Sequence, residues 1–168
     1  MTTYHSPVRD SRGLKVHGPR LKITIGPPIL GGQQTSSLAT TRFIETDALI
    51  DTGAQRTVIS PEAVRKAGLS KINEADVRGV GGIIRAGVYV ASLRFPRCNL
   101  RTIEVVEVSC CALPHILYHC LLGRDVLSRW KLTYDGPDGT WFIEEWASAS
   151  WVEPPEGMDP RDPSLWGE

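Results

Sequence analysis

The chain has 168 residues, 41% of them hydrophobic, and its 19 lysines and arginines are balanced by 19 aspartates and glutamates. That length supports one domain with a real core and is short for two, and the absence of net charge gives no basis for a nucleic-acid or membrane-surface partner. No apolar run approaches the roughly 20 residues that span a bilayer, and residues 1–9 contain no apolar signal region, so a soluble, cytoplasmic protein is expected.

Residues 1–19 are polar and read as an irregular N-terminal segment. Leu21-Lys22-Ile23-Thr24-Ile25 then alternates apolar and polar as a half-buried strand does, and Gly26-Pro27-Pro28 stops it. Residues 31–37 form a Gly-rich loop without the Gly-Lys-Ser/Thr ending of a phosphate loop. A second strand, residues 43–50, runs directly into Asp51-Thr52-Gly53-Ala54. Thr57-Val58-Ile59 is a short β-branched strand, after which Ser60-Pro61 caps and starts a helix over residues 61–67 that Gly68 ends.

Residues 75–93 predict a hairpin with Gly79, Gly81 and Gly82 at its tip, and residues 102–108 another strand. The apolar strand 117–122 ends at Gly123 and leads into a short helix, 124–130. Residues 131–145 form a hairpin around Asp135-Gly136-Pro137-Asp138-Gly139. A calcium loop here would need an acid where Trp146 stands, so a turn explains the sequence. From Ala147 onward the chain is an acidic tail containing proline and tryptophan. The expected organisation is an N-terminal segment (1–19), one domain (20–146) and a C-terminal tail (147–168). The fold class is all-β, a barrel or sandwich with two short helices.

Cys110, Cys111, His115, His119 and Cys120 form a run that invites a zinc reading. It contains no C-x₂-C knuckle, and Pro114 interrupts any helix that would align the ligands. Buried thiols and partly exposed imidazoles beside a strand fit better. Neither metal nor organic cofactor is expected.

Three segments carry the chemistry. In Leu49-Ile50-Asp51-Thr52-Gly53-Ala54 an apolar strand delivers a carboxylate at its end, followed by a hydroxyl and a glycine that permits close approach. Taken alone, this is also what an ordinary turn after a strand looks like. In Arg78-Gly79-Val80-Gly81-Gly82-Ile83-Ile84 the glycines give a hairpin tip freedom to move, and the apolar residues among them are wasted unless they cover something. The third, Leu121-Leu122-Gly123-Arg124-Asp125, sets an apolar pair and a glycine before a charged pair that opens a helix.

In this order the three segments resemble the retropepsin family, the retroviral-type aspartic proteases and their cellular and prokaryotic relatives. The resemblance spans roughly residues 20–146. It implies an acid-protease barrel with a flap hairpin, one lobe per chain, working as a homodimer on peptide or protein substrates. It makes Asp51 the catalytic carboxylate and assigns support of the active-site loop to Thr52, Gly53, Ala54, Leu122, Gly123 and Arg124. Gly53, Gln55, Val80, Gly81, Gly82 and Ile83 are the expected substrate contacts. Gln55 departs from the retroviral pattern, which usually has an aspartate there to pair with the arginine of the Gly-Arg element. Because only one Asp-Thr-Gly is present and the chemistry needs two carboxylates, two chains must each supply one. The expected activity is aspartic endopeptidase. The alternatives are a retropepsin-like dimerisation or peptide-binding module without turnover, and a metal-binding regulator built on the cysteine-histidine run.

Overall fold

A computed structural model describes residues 2–29, 42–79, 81–113 and 118–145. Its elements in chain order are β1 (Thr2–His5), α1 (Ser11–His17), β2 (Arg20–Gly26), β3 (Ile44–Ile50), β4 (Val58–Ile59), α2 (Pro61–Ala67) and β5 (Lys71–Gly79). There follow β6 (Gly82–Arg94), β7 (Ile103–Cys110), β8 (Cys120–Leu122), α3 (Arg124–Leu127), β9 (Trp130–Asp135) and β10 (Thr140–Glu145). The fold is all-β in class.

Seven strands form one mixed sheet in the order β2-β3-β8-β4-β7-β6-β5. A further antiparallel ladder, Thr24–Gly26 on Ser92–Arg94, joins β2 to the far end of β6 and closes the sheet into a barrel. β5 is left outside that closure, as the outer strand of a hairpin carried by β6. The alternation read in the sequence explains which face closes. Leu21, Ile23 and Ile25 of β2 turn inward to meet Ala48 and Ile50 of β3, Ile59 of β4 and Leu122 of β8, all buried. Each large side chain so buried contributes roughly 1.5–3 kcal/mol. A second, three-stranded sheet, β1-β10-β9, packs Trp141 and Ile143 onto the same core.

α2 forms over the residues that its capping signals predict. The Ser60 hydroxyl accepts from Ala63 N (3.1 Å), Pro61 opens the helix, and Gly68 closes it in the left-handed region at φ 65°. The helix expected over 124–130 stops at Leu127, because Trp130 is already paired with Glu145 in the C-terminal hairpin.

The expectation of an irregular segment over residues 1–19 is corrected. Thr2–His5 pairs antiparallel with Phe142–Glu145, and Tyr4 sits on Trp141 with ring centroids 5.4 Å apart. α1 follows, capped by Asp10, whose carboxylate accepts from Gly13 N (2.8 Å), and pinned by the buried Leu14. A four-residue strand and a seven-residue helix with one buried side chain are too short to show a hydrophobic period. The described residues therefore contain three short helices rather than two. The tail expected from Ala147 lies outside the described residues.

Among the described residues no helix is long and apolar enough to cross a membrane.

Candidate active site

β3 ends at Ile50, and Asp51 is the first residue past it, half-buried at the edge of the barrel. Its backbone N–H donates to Leu122 O (3.0 Å), which fixes where the turn begins. The loop then folds back on the carboxylate. Asp51 Oδ1 accepts from Gly53 N (2.9 Å) and from Ala54 N (3.3 Å), and Ala54 N is shared with the Asp51 carbonyl (3.2 Å). Two amides aimed at one oxygen hold the plane of the carboxylate. Oδ2 has no hydrogen-bond partner among the described residues, so one oxygen is anchored and the other is available for chemistry.

The loop is tied to the chain segment around Gly123 by a continuous set of bonds. Arg124 N donates to Ala54 O (2.9 Å) and Asp125 N to Gln55 O (3.3 Å). The Arg124 guanidinium reaches over to donate to Thr52 O (3.0 Å), with Gly53 O at 3.5 Å. Arg124 thus binds carbonyls of the loop itself. The Gln55 and Thr52 side chains are exposed.

Two residues absent from the sequence-based site complete the support. Thr57 is fully buried, and its N–H and hydroxyl donate to Asp125 Oδ2 and Oδ1, both at 2.8 Å. The Thr57 hydroxyl oxygen in turn accepts from Gly123 N (3.2 Å). Gly123 is required by this crossing. A Cβ there would stand 2.6 Å from Arg56 O and 2.8 Å from Thr57 N. A charged residue just after Gly-Arg and a threonine opening a β-branched strand were the available signals, but a sequence does not display their pairing.

The glycine hairpin is the β5–β6 unit. Gly79 and Gly82 close its tip, and a Cβ at Gly79, Gly81 or Gly82 would meet nothing within 4 Å. Only Gly82 has a positive φ (109°) among these; Val80 lies outside the described residues. Ile84 and its cross-strand partner Val77 share the face that continues into buried Ala86 and Val88, whereas Ile83 pairs with Arg78 on the opposite face. Ile83 and Ile84 are both more than half exposed (59% and 51%), a solvent contact that apolar side chains do not favour. Nearer the hairpin base, Glu74 binds Lys71 and Arg85, and these two cations hold its carboxyl down to about 2.

The cysteine-histidine run is dispersed. Cys120 is buried in the core and its thiol pushed far up, by burial and then by the Asp125 charge. Cys110 and Cys111 are half-buried, with burial raising both thiols. His119 Nδ1 meets the Ser60 hydroxyl at 2.9 Å, and His115 lies outside the described residues. No group of three or more His, Cys, Asp or Glu residues among the described residues is placed to hold a metal ion.

Residues 44–129 match the family model described as "gag-polyprotein putative aspartyl protease". Among solved structures, the EIAV protease complexed with the inhibitor HBY-793 is similar at 18% identity and a TM-score of 0.45, over 66% of this chain and 85% of that one. A Legionella pneumophila protein of unknown function, Lpg0085, is similar at 16% identity and a TM-score of 0.36, over 65% and 83%. No curated protein matches the chain.

Proposed function

The chain belongs to the retropepsin-like, gag-type family of aspartyl proteases, and from that premise we propose that it is an aspartic endopeptidase whose catalytic pair is Asp51 from two copies. The observation that carries the reading is the state of that carboxylate: Oδ1 is held by the Gly53 and Ala54 amides, and Oδ2 is unpartnered among the described residues. A single carboxylate held this way cannot both activate water and protonate a carbonyl. A two-fold axis brings each residue opposite its own copy and so supplies the second group. In aspartic proteases the two carboxylates stand about 3 Å apart and share one proton, since both cannot ionise at that distance.

In the proposed cycle the ionised Asp51 takes a proton from a water lying between the pair. The water oxygen attacks the scissile carbonyl while the protonated Asp51 gives its proton to the carbonyl oxygen. As the tetrahedral intermediate collapses, the C–N bond breaks and the leaving nitrogen collects a proton from the carboxyl that gained one. The other carboxylate takes a proton back from a hydroxyl of the intermediate, which restores the singly protonated pair. The β5–β6 hairpin is the covering element, closing over the peptide and excluding water. Substrate contacts are assigned to Gly53, Gln55 and the hairpin backbone from Val80 to Ile83.

Subunit mixing tests the shared site. Asp51→Asn keeps size and most hydrogen bonding, so mutant and wild-type chains should pair. In an equal, fully exchanged mixture about one dimer in four retains both carboxylates. Activity per wild-type chain should then fall to about half, and further as mutant is added. Activity that tracks wild-type chain alone, with exchange verified by labelled subunits, would mean that each chain holds a complete site.

A further inference from the structure

A dimer that sets two copies of Asp51 about 3 Å apart has its two-fold axis beside Asp51, so the elements flanking that residue border the seam. The Gly123 segment stands on one flank. On the other, β2 pairs with β3 so that Arg20 lies opposite Leu49, and Ile50 N donates to Pro19 O (2.9 Å). The same register carried two residues further sets Gly18 beside Asp51. Gly18 is tight against the catalytic strand, since a Cβ there would stand 2.7 Å from Leu49 Cδ1. It is also the C-cap of α1, so that helix ends at the catalytic turn.

α1 is fixed at both ends and turns one face outward. Asp10 N donates to Gly139 O (3.1 Å), Arg9 pairs with Asp138 (3.2 Å), and Leu14 is buried in the core. Successive helical residues turn by about 100°, so Arg12 and Val16, each two positions from Leu14, face away from the barrel. Val16 is the most exposed large apolar side chain among the described residues (66%), and Val8, leading into the helix, follows at 63%. The turn after β3 is too small to hold a dimer alone: it exposes Thr52, Gly53, Gln55 and Arg56, whereas a stable interface takes about 20–30 residues a side. β10 is already paired on both edges within its own chain, by β1 and β9, and has no edge left for a partner's strand.

We propose that the outer face of α1, centred on Val16, is a docking surface for a second copy of this chain. This rests on the shared-site reading above, and it places the seam on an element outside residues 44–129, which match the family model. Packing Val16 across the axis removes its exposed apolar surface from water. The same contact has an electrostatic cost. Near a two-fold axis a side chain faces its own copy, and α1 carries Arg12 and Lys15 with no acid in its first turn. These cations oppose the apolar contact. Screening shortens their reach from about 10 Å at 0.1 M salt to about 3 Å at 1 M, so the dimer strengthens as salt is added.

The test measures the dimer Kd by analytical ultracentrifugation on the full chain carrying Asp51→Asn, which prevents self-digestion. At about 0.1 M NaCl, Val16→Lys should raise Kd roughly tenfold or more, because it replaces an apolar contact with a further like charge. Arg12→Gln combined with Lys15→Gln should lower Kd and blunt its salt dependence. Val105→Lys, at an exposed position on β7, should leave Kd unchanged. Val16 is exposed in the single chain, so Val16→Lys should keep the far-UV circular dichroism of the wild type. With Asp51 intact, Val16→Lys should regain wild-type turnover per dimer at high chain concentration, which damage to the catalytic turn would prevent. Cleavage by a dimer whose Kd is indifferent to Val16 overturns this inference alone. A dimer that Val16→Lys dissociates, but whose wild type cleaves no peptide, overturns the peptidase reading alone. A chain that stays monomeric at every concentration defeats both.

Discussion

Asp125 makes a sharp test of the site because it touches no substrate in the proposed mechanism, yet the catalytic loop hangs from it. Asp125→Ala strands the Thr57 N–H and hydroxyl, both bonded at 2.8 Å on a fully buried residue. Val126 N also donates to Asp125 but keeps a second acceptor in Gly123 O at 3.1 Å, so it is not orphaned. A buried donor left unpaired costs about 1–3 kcal/mol. Asp125 is itself only half-buried, so water reaches part of the gap, and the total should be about 2–4 kcal/mol. For a domain of this size that lowers Tm by roughly 10 °C.

The catalytic effect should exceed what instability alone gives. Loss of the tie lets the segment from Gly53 to Thr57 drift against Gly123, and a displacement near 1 Å at a catalytic group costs about a hundredfold. Turnover should therefore fall about 10- to 100-fold at temperatures where the variant is folded, with KM little changed. Asp125→Asn retains an acceptor for Thr57 N and should lose less than half as much of either quantity. Denaturant unfolding is best measured in an Asp51→Asn background, to prevent self-digestion, and at fixed chain concentration, since dimer stability depends on it. Wild-type stability and turnover in Asp125→Ala would refute the argument that this network positions the loop.

Gly82→Val forces a β-branched residue to φ 109° at a position where its side chain meets no neighbour, so the cost is torsional and confined to the hairpin tip. Turnover should drop at least tenfold with a Tm change within about 2 °C, whereas Gly81→Ala, whose φ is not positive, should be tolerated in both assays. Glu74 titrates near 2 instead of its usual 4.5, because Lys71 and then Arg85 bind its ionised form. A depressed carboxylate stabilises above its unfolded pKa and loses that contribution as pH falls through the folded one. Hydrogen-exchange protection at the hairpin base should therefore exceed that of Glu74→Gln at neutral pH and down to about 4.5, and the two proteins should converge towards pH 2.

The legible parts of the fold are those where one residue type answers one local need. Ser60, Pro61 and Gly68 state where α2 begins and ends, and the alternation of Leu21, Ile23 and Ile25 states which face of β2 is buried. α1 and β1 were not legible, because their anchors, Leu14 and Tyr4, are single side chains whose partners stand far along the chain. The hairpin was read four residues short at its start, since Lys71 to Glu74 is polar and exposed and is held by pairing with β6 across a register shift.

The site divides in the same way. Asp51 was visible as a carboxylate after an apolar strand, but that tripeptide acquires meaning only from a distant segment tied to its loop, in which Asp125 binds Thr57 across 68 residues of chain. Each residue of that segment answers a particular group of the loop. Gly123 is small because the Arg56 carbonyl and the Thr57 amide leave no room for a Cβ. Arg124 is long and planar because the Thr52 carbonyl must be reached across the loop, and Asp125 is bidentate because Thr57 presents two donors to it. A turn that merely reversed the chain after β3 would need none of the three. Their joint presence distinguishes a loop built to hold one carboxylate oxygen still from a loop that only connects two strands.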